Sequence, residues 1–264
     1  MKFFFEILFI FACLPFIFGG LTHLRIQQQT RENMDGFPLG VISISVLSSA
    51  FEITPRGNPS MYQGDMILTE GQASYLLEEA KLKLEAKESN KTGDGVDKEI
   101  INKLKKNRAY KKDSRYKWKF PIPYFIERGV EQTVVDNALR NIAKETCLTF
   151  QKSAPFNNRQ GLRIFRGQGC YSFIGPISDS KPQDVSIGRG CEWNGIVQHE
   201  VCHALGLFHE QSRPDRDDFL MINLNNVLPN QRHNYDKSSI ASTETFGLPY
   251  DYGSHMQYDK KSFS

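Results

Sequence analysis

Three histidines that lie close together constrain this chain more than any other feature. His199, His203 and His209 fall within eleven residues of a protein that has six histidines in all. Residues four apart lie on one face of an α-helix, so His199 and His203 can bind a single metal ion. Gly206 adopts a positive φ at little cost, so it can end the helix and bring His209 back as a third ligand. The spacing therefore predicts a helix, a glycine turn and a zinc site, with one Zn²⁺ per chain.

A glutamate next to the first histidine indicates what such a site would do. Three protein ligands leave zinc an open position, which is the arrangement of a catalytic site and not of a closed structural one. Glu200 lies beside the metal but off the ligand face, where it can accept a proton from water. The alternative is three unrelated histidines on the surface or in the core, and the coincidence of the spacings argues against it.

Composition excludes several broad classes of protein. Charged residues make up 24% of the chain and the formal net charge is +3. These values are typical of a globular protein, and they exclude a polytopic membrane protein, a coiled coil, a collagen-like chain and a fully disordered one. The charge is too small to indicate binding to nucleic acid.

The first nineteen residues resemble a secretory signal peptide. Met1 and Lys2 precede an apolar run from Phe3 to Phe18, and small glycines follow it. A membrane anchor is the alternative, but the uninterrupted apolar part is shorter than the roughly 20 residues that cross a bilayer. We therefore expect cleavage after residue 19 and a secreted, extracellular protein with no membrane contact once the signal is removed.

Secretion changes the interpretation of the cysteines. Cys13 would leave with the signal, whereas four cysteines would remain in an oxidising compartment and allow three pairings. The sequence also contains one candidate glycosylation site, Asn90 in Asn-Lys-Thr. The four remaining cysteines are Cys147, Cys170, Cys191 and Cys202.

The chain divides into two regions of different character. Residues 20–108 contain one predicted helix, at 70–88, with Tyr75, Leu76, Ala80, Leu82 and Leu84 on a ragged apolar face. A flexible linker at 89–97 and a basic stretch at 98–108 follow. Residues 109–264 are predicted to form a compact domain of the α+β class, because strands and helices do not alternate strictly. The elements expected there are a helix at 131–146 and strands at 120–127, 147–150, 162–165, 171–174 and 185–187, with Pro121 and Pro123 confining the first strand to a sheet edge.

The stretch from His199 to Asp217 resembles the astacin family of secreted zinc endopeptidases, within the metzincins. Glu210 and the run 213–217 match the family's extended motif, and Trp118 with 122–124 is similar to the start of its catalytic domain. The run 250–258 is similar to the family's Met-turn, and 62–66 to its inhibitory propeptide motif. The resemblance implies a propeptide and then a twisted mixed sheet with the active-site helix above and an irregular C-terminal half below.

The resemblance also implies roles for single residues. Met256 would form an apolar floor beneath the zinc. Tyr258 would bind zinc in the resting enzyme and stabilise the oxyanion during turnover. Asp65 would place its carboxylate on the zinc in a zymogen and so block the open position.

Activation would follow from a single cut. Cleavage by an activating protease between Arg108 and Ala109 would make Ala109 the new N-terminus. Its amino group would reach inside to Glu210, because a buried ammonium and a buried carboxylate each need the other. Residues 1–19, 20–108 and 109–264 would then be signal peptide, propeptide and catalytic domain.

Two departures from the family pattern stand out. The resemblance implies a Cys170–Cys191 disulfide and a partner for Cys147 near the end of the domain, and no cysteine follows Cys202. We therefore expect a C-terminally incomplete catalytic domain, from a truncated gene model, a fragment or a splice product. At Cys202 we expect a free buried thiol, and mispairing with Cys147 is the alternative. Gln257 also stands where the family has histidine after the Met-turn methionine, while His255 precedes Met256.

The sequence thus predicts a zinc-dependent endopeptidase that acts on protein or peptide substrates and is made as a zymogen. An inactive, truncated zinc-binding or decoy protein is the main alternative. A purely structural zinc module is a third, but it would need a fourth stable protein ligand.

Overall fold

The computed structural model of the chain describes residues 61–88, 116–238 and 243–263. The predicted signal peptide, the linker at 89–97, Asn90 and the predicted cleavage point between Arg108 and Ala109 lie outside these ranges. Within them, no helix is both long and apolar enough to span a bilayer.

Helix α1 spans Glu70–Glu88, as the sequence predicts. Its start is fixed by reciprocal bonds, in which the Gln72 N–H donates to Thr69 Oγ1 at 3.2 Å and the Thr69 N–H to Gln72 Oε1 at 2.9 Å. The predicted buried face is only partly right, since Ala80 and Leu84 are exposed. The side chains that are buried instead follow the spacing i, i+4, i+7, and they are Tyr75, Glu79 and Leu82.

Helix α2 spans Gln132–Glu145 and closely matches the prediction. Glu131 caps it by accepting a bond from the Thr133 N–H. Val135, Ala138 and Leu139 are buried on one face, as the apolar spacing indicates. The third helix, α3, spans Asn194–Leu205 and carries the first two histidines of the motif.

The described strands form one mixed sheet in the order β1-β5-β6-β4-β2-β3. All neighbouring strands are parallel except β5 and β6, which are antiparallel. The strands are β1 Met66–Ile67, β2 Ile122–Ile126, β3 Phe150–Lys152, β4 Gly161–Phe165, β5 Cys170–Phe173 and β6 Pro182–Ile187.

The prediction that the prolines confine β2 to a sheet edge is wrong. β2 lies between β3 and β4. The Ile122 N–H and the Tyr124 carbonyl both bond toward β3, so the missing N–H of Pro123 faces β4. Pairing with β4 begins only at Tyr124, opposite Leu162, so Pro123 interrupts no bond of that ladder.

The hydrophobic core lies between the sheet and helices α2 and α3. Strands β2, β4 and β6 bury Ile122, Leu162 and Val185 against Val135 of α2 and Val201 of α3. After α3 the described chain contains only short 3-10 helices, at 210–212, 216–218, 224–226 and 229–235. This arrangement confirms the predicted α+β class with an irregular C-terminal half, and it leaves α3 packed against one face of the sheet.

The cysteines follow the expectation in part. Cys170 and Cys191 form a disulfide that ties β5 to the loop before α3. Cys202 is a free, half-buried thiol, and burial raises its pKa to about 12. Cys147 is also disulfide-bonded.

Candidate metal centre

Helix α3 and the turn after it place the three histidines together. His199 and His203 lie one helical turn apart and are both buried. Gly206 ends the helix with φ of 112°, and its N–H bonds back to the carbonyls of Cys202 and His203. This left-handed conformation is one that residues with a Cβ adopt at a cost. The chain then reverses and brings His209 beside the helix, as the spacing predicts.

The three imidazoles converge through the same ring atom. The Nε2 atom of His199 lies 3.1 Å from that of His203 and 3.3 Å from that of His209. Asp65, from the region before the predicted cleavage point, places Oδ2 at 3.2 Å from Nε2 of both His199 and His209. Its Oδ1 lies 3.5 Å from Nε2 of His203. All four side chains are buried.

The opposite ring nitrogens are held by backbone or amide oxygens. Nδ1 of His199 lies 2.7 Å from the His255 carbonyl, and Nδ1 of His203 lies 2.8 Å from the Leu207 carbonyl. Nδ1 of His209 lies 3.1 Å from Oε1 of Gln63. Because each Nδ1 donates to an oxygen, each Nε2 is left unprotonated and faces the common centre.

These residues fit a zinc ion. Two ligands about 2.1 Å from a tetrahedral zinc lie about 3.4 Å apart, close to the observed nitrogen separations. Oδ1 of Asp65 is buried and has no hydrogen-bond partner in the described structure. A cation at this centre would supply the partner that this oxygen lacks. The histidines and the carboxylate form a candidate metal group whose ligand atoms all lie within 4.8 Å of one another.

The electrostatics of the group favour the protonation states that metal ligands need. Burial lowers the pKa of His209 to about 4 and also lowers that of His203. Burial alone would raise the pKa of Asp65, but the three histidines outweigh it and hold that pKa well below its usual range. Neutral imidazoles and an ionised carboxylate are the forms that bind a metal.

Glu200 lies within the same buried region. Only 1% of the residue is exposed, and its Oε2 has no hydrogen-bond partner in the described structure. Burial raises the pKa of Glu200 well above its usual value, and the charge of Asp65 adds to the effect. A buried carboxylate without a partner is poised to take up a proton.

Residues of the predicted Met-turn lie near Glu210 and the histidine cluster. Met256 is buried, and its carbonyl accepts a bond from the Glu210 N–H at 2.8 Å. The ring of Tyr258 packs on that of His209, with 4.5 Å between their centroids. Its hydroxyl donates to the Gln63 carbonyl at 2.5 Å and is therefore engaged by the N-terminal segment in this structure.

The carboxylate of Glu210 has two partners among the described residues. Its Oε1 accepts from Nη1 of Arg213 at 3.1 Å and from the Asp251 N–H at 2.9 Å. Arg213 also donates to the carbonyls of Leu248 and Pro249, at 3.0 and 3.2 Å. Arg213 thus links the turn after His209 to the segment that leads into the Met-turn.

The N-terminal segment, which we define as residues 61–69, joins the sheet as an added edge strand. Met66 and Ile67 pair in parallel with Ser172 and Phe173 of β5. Just before this strand, Gln63 and Gly64 both have positive φ, of 48° and 85°. The resulting turn directs the side chains of Gln63 and Asp65 into the histidine cluster.

Sequence reasoning missed the roles of Gln63, Ser212 and Arg213. Gln63 lies in the run 62–66 that resembles the family's inhibitory propeptide motif, and this was the available signal. Ser212 and Arg213 lie within the extended motif, but the contacts of Ser212 with Gln63 and of Arg213 with the carbonyls of Leu248 and Pro249 join distant segments and left no local signal.

The mixed sheet, the histidine-bearing helix, the glycine turn and the third histidine together define a metzincin-type metal centre. The chain belongs to the astacin family, peptidase family M12A, whose family model matches residues 110–264.

Named relatives agree with this membership. The chain is 35% identical over 218 residues to zinc metalloproteinase nas-34 of Caenorhabditis elegans, covering 81% of this chain and 35% of that protein. It is 38% identical over 152 residues to meprin A subunit beta of Rattus norvegicus, covering 56% of this chain and 21% of that one. The chain therefore spans about a third or less of the length of these relatives.

A solved structure shows the same fold. High choriolytic enzyme 1, a hatching enzyme zinc-protease from Oryzias latipes, superposes with a TM-score of 0.51 at 33% identity. The match covers 58% of this chain and 78% of the other. It confirms the predicted astacin-like architecture.

Proposed function

We propose that this protein is a secreted zinc endopeptidase, made as a zymogen, that hydrolyses peptide bonds in protein or peptide substrates. One observation carries the proposal: the Asp65 carboxylate lies against Nε2 of all three histidines. A carboxylate at that position occupies the place that an attacking water needs in a three-histidine centre.

His199, His203 and His209 would hold the ion through Nε2. When bound, Zn²⁺ supplies Lewis-acid polarisation of the scissile carbonyl and makes water acidic enough to attack at neutral pH. The oxygens that accept from each Nδ1 keep the rings in the orientation that this binding needs.

Glu200 moves the protons of the reaction. Its carboxylate accepts a proton from the attacking water as the new C–O bond forms at the scissile carbon. The same proton then passes to the leaving amine nitrogen as the C–N bond breaks, so Glu200 ends the cycle ionised. Its burial and its lack of a hydrogen-bond partner support this role.

Tyr258 and the edge strand β5 position the substrate. The Tyr258 hydroxyl already donates to a peptide carbonyl, that of Gln63, so it is placed to stabilise a carbonyl oxygen that gains charge. Once the N-terminal segment has left, β5 offers a free edge where an extended substrate can pair.

Latency and activation follow from the same contacts. Residues 1–19 would direct secretion, and 20–108 would form a propeptide with a glycan at Asn90. An activating protease would cut between Arg108 and Ala109. The freed amino group of Ala109 would then compete with Arg213 for the carboxylate of Glu210, within the catalytic domain 109–264. Asp65 would leave the histidines together with the propeptide. Neither nucleic acid nor a membrane is a partner in this scheme.

The test uses the full chain with a site for a specific protease inserted between residues 88 and 116. The folded protein is cut, the N-terminal part is removed, and zinc content and cleavage of a quenched peptide library are measured. We expect one zinc per chain and chelator-sensitive cleavage. Glu200→Ala should keep the zinc and lose cleavage by roughly a thousandfold or more, whereas exposed Glu244→Ala should keep both.

Two results would contradict the proposal. A processed chain that binds zinc but cuts no peptide would favour the inactive or decoy protein. A folded chain that binds no zinc would remove the metal centre itself.

A further inference from the structure

The side chain of Gln63 fills a polar pocket beside the histidine cluster. Gln63 is fully buried. Its Oε1 accepts from Ser212 Oγ at 2.8 Å and from Nδ1 of His209 at 3.1 Å. Its Nε2 donates to the Asp236 carbonyl at 3.2 Å. Outside the N-terminal segment, two donors and one acceptor thus face this primary carboxamide, and within the segment the Tyr62 hydroxyl also accepts from Gln63 Nε2 at 3.4 Å.

The backbone conformation of Gln63 is strained, which indicates that its side-chain hydrogen bonds hold it in place. Its φ of 48° is in the left-handed region, which is costly for a residue with a long side chain. Glycine and asparagine adopt this conformation more readily. A strained residue persists where its surroundings hold it, and here the side-chain bonds to Ser212, His209 and Asp236 do so.

The walls of the pocket do not depend on the N-terminal segment. The Ser238 N–H donates to the Ser212 carbonyl at 2.7 Å, so the two sides of the pocket are joined directly. Nη1 of Arg216 bonds the carbonyls of Gln211 and Tyr235 at 2.8 and 2.5 Å. These groups lie within residues 211–238, so the Ser212 and Asp236 sides of the pocket stay joined when residues 61–69 leave.

We propose that the pocket made by His209 Nδ1, Ser212 Oγ and the Asp236 carbonyl is a substrate subsite that selects a primary carboxamide side chain. This inference rests on the proposed function and deepens it. In the uncut chain Gln63 occupies the subsite, and after processing a glutamine or asparagine of the substrate takes its place.

The chemistry of the pocket discriminates against close analogues. A glutamate would direct its second oxygen at the Asp236 carbonyl, where a donor is needed. A methionine of similar size would leave the Ser212 hydroxyl and the His209 N–H without an acceptor. Each mismatch is expected to weaken binding by about tenfold or more, because a buried polar group is left unpaired.

A binding experiment tests the pocket without requiring catalysis. The full chain is cut after folding, the N-terminal part is removed, and the peptide of residues 61–69 is added back in trans. We expect the Gln63→Glu and Gln63→Met peptides to bind at least tenfold more weakly than the parent, as measured by calorimetry. Equal binding of the parent and Gln63→Met peptides would overturn the proposal.

Substrate profiling tests the selection itself. Peptides that differ only by Gln, Glu or Met are compared at each position around the scissile bond. We expect one position where Gln exceeds both others by about tenfold or more, and Ser212→Ala should reduce that preference while exposed Ser180→Ala retains it. Absence of a Gln preference at every position would overturn the inference, with the proposed function intact. If no peptide is cut at all, the proposed function fails, and the binding experiment still decides whether the pocket selects a carboxamide.

Discussion

At the scale of single residues, two side chains from the N-terminal segment occupy the positions that matter most. Asp65 faces the three Nε2 atoms, and Gln63 completes the hydrogen bonding of His209. The histidines are otherwise oriented by groups that follow them in the chain, the carbonyls of Leu207 and His255. The state of the metal centre is therefore coupled to the presence of residues 61–69.

Replacement of Asp65 should make the uncut chain active. Asp65→Ala removes the only carboxylate that faces the histidine cluster in the described metal group. Because a buried charge contact is lost, we expect the peptide-cleaving activity of uncut protein to rise roughly a hundredfold or more.

The measurement compares uncut wild type, Asp65→Ala and the exposed control Asp179→Ala in a quenched-peptide assay, with intactness checked by mass. Uncut Asp179→Ala should be as inactive toward the peptide as uncut wild type. If uncut Asp65→Ala is equally inactive, Asp65 does not keep the uncut chain inactive.

At the scale of elements, the C-terminus of α3 decides whether three histidines become one site. Gly206 ends the helix with φ of 112°, and a Cβ built there would approach no atom more closely than 4.0 Å. The constraint is therefore conformational and not steric. Arg213 then fixes the following turn through Glu210, Asp215 and two carbonyls of the segment before the Met-turn.

Gly206→Ala should weaken metal binding as well as stability. The left-handed conformation costs about 1–2 kcal/mol for alanine, and relief of that strain would displace His209. Gly190 provides a matched control, because its φ is +89° with nothing within 4 Å of an added Cβ, and it positions no histidine.

Urea unfolding and zinc affinity together check this prediction. Gly190→Ala should lose a similar free energy of unfolding but retain the wild-type affinity for zinc. Equal zinc affinity in the two variants would contradict the role given to the glycine turn.

The Arg213–Asp215 pair should contribute stability only above acidic pH. The hydrogen bond from Arg213 holds the pKa of Asp215 below its ordinary value of 3.8. A lowered folded-state pKa means that the contribution is complete above pH 3.8 and is lost as the pH falls through the folded pKa. Because the Asp215 side chain is 39% exposed, we expect the pair to contribute no more than about 1 kcal/mol to the free energy of unfolding.

Urea unfolding of wild type and Asp215→Asn, from neutral to acidic pH, measures the contribution of the Arg213–Asp215 pair to stability. The difference in the free energy of unfolding should be present at neutral pH and should vanish in acid. A difference independent of pH would indicate that Asp215 acts through packing and not through its charge.

At the scale of the whole molecule, the N-terminal segment is an added part of the sheet. Strand β1 extends the sheet at β5, and α1 is anchored by Gln72 Nε2, which donates to the Ile174 carbonyl at 3.1 Å. The segment thus covers both the metal centre and the sheet edge proposed for the substrate. A single movement of residues 61–69 would expose both.

Removal of the segment should change hydrogen exchange at one sheet edge only. The Ser172 N–H donates to the Asp65 carbonyl at 3.1 Å, so this amide should exchange faster in the cut chain freed of its N-terminal part. Amides of β4 and β6, which lie inside the sheet, should keep their protection.

Exchange measured by mass spectrometry on cut and uncut chains checks the expectation. Faster exchange throughout the sheet would mean that the segment supports the whole fold. Unchanged exchange at Ser172 would mean that the edge remains covered by another part of the chain.

The sequence by itself determined helices α1, α2 and α3, the glycine turn and the three histidines. Each depends on spacing over a few residues, through helical periodicity or a permitted backbone conformation. The resemblance to a family added Asp65, Tyr258 and the Cys170–Cys191 pair, and the structure places Asp65 and Tyr258 at the cluster and forms the disulfide. Local rules alone could not supply those long-range contacts.

Only the tertiary structure decided how distant segments meet. It put β2 inside the sheet despite its prolines, because the missing N–H of Pro123 falls just before pairing with β4 begins. It also brought Gln63 to Ser212 and Asp236, which are separated from it by more than half of the chain. Such contacts are fixed by packing and by the need to pair buried polar groups, and neither is written in the periodicity of a single segment.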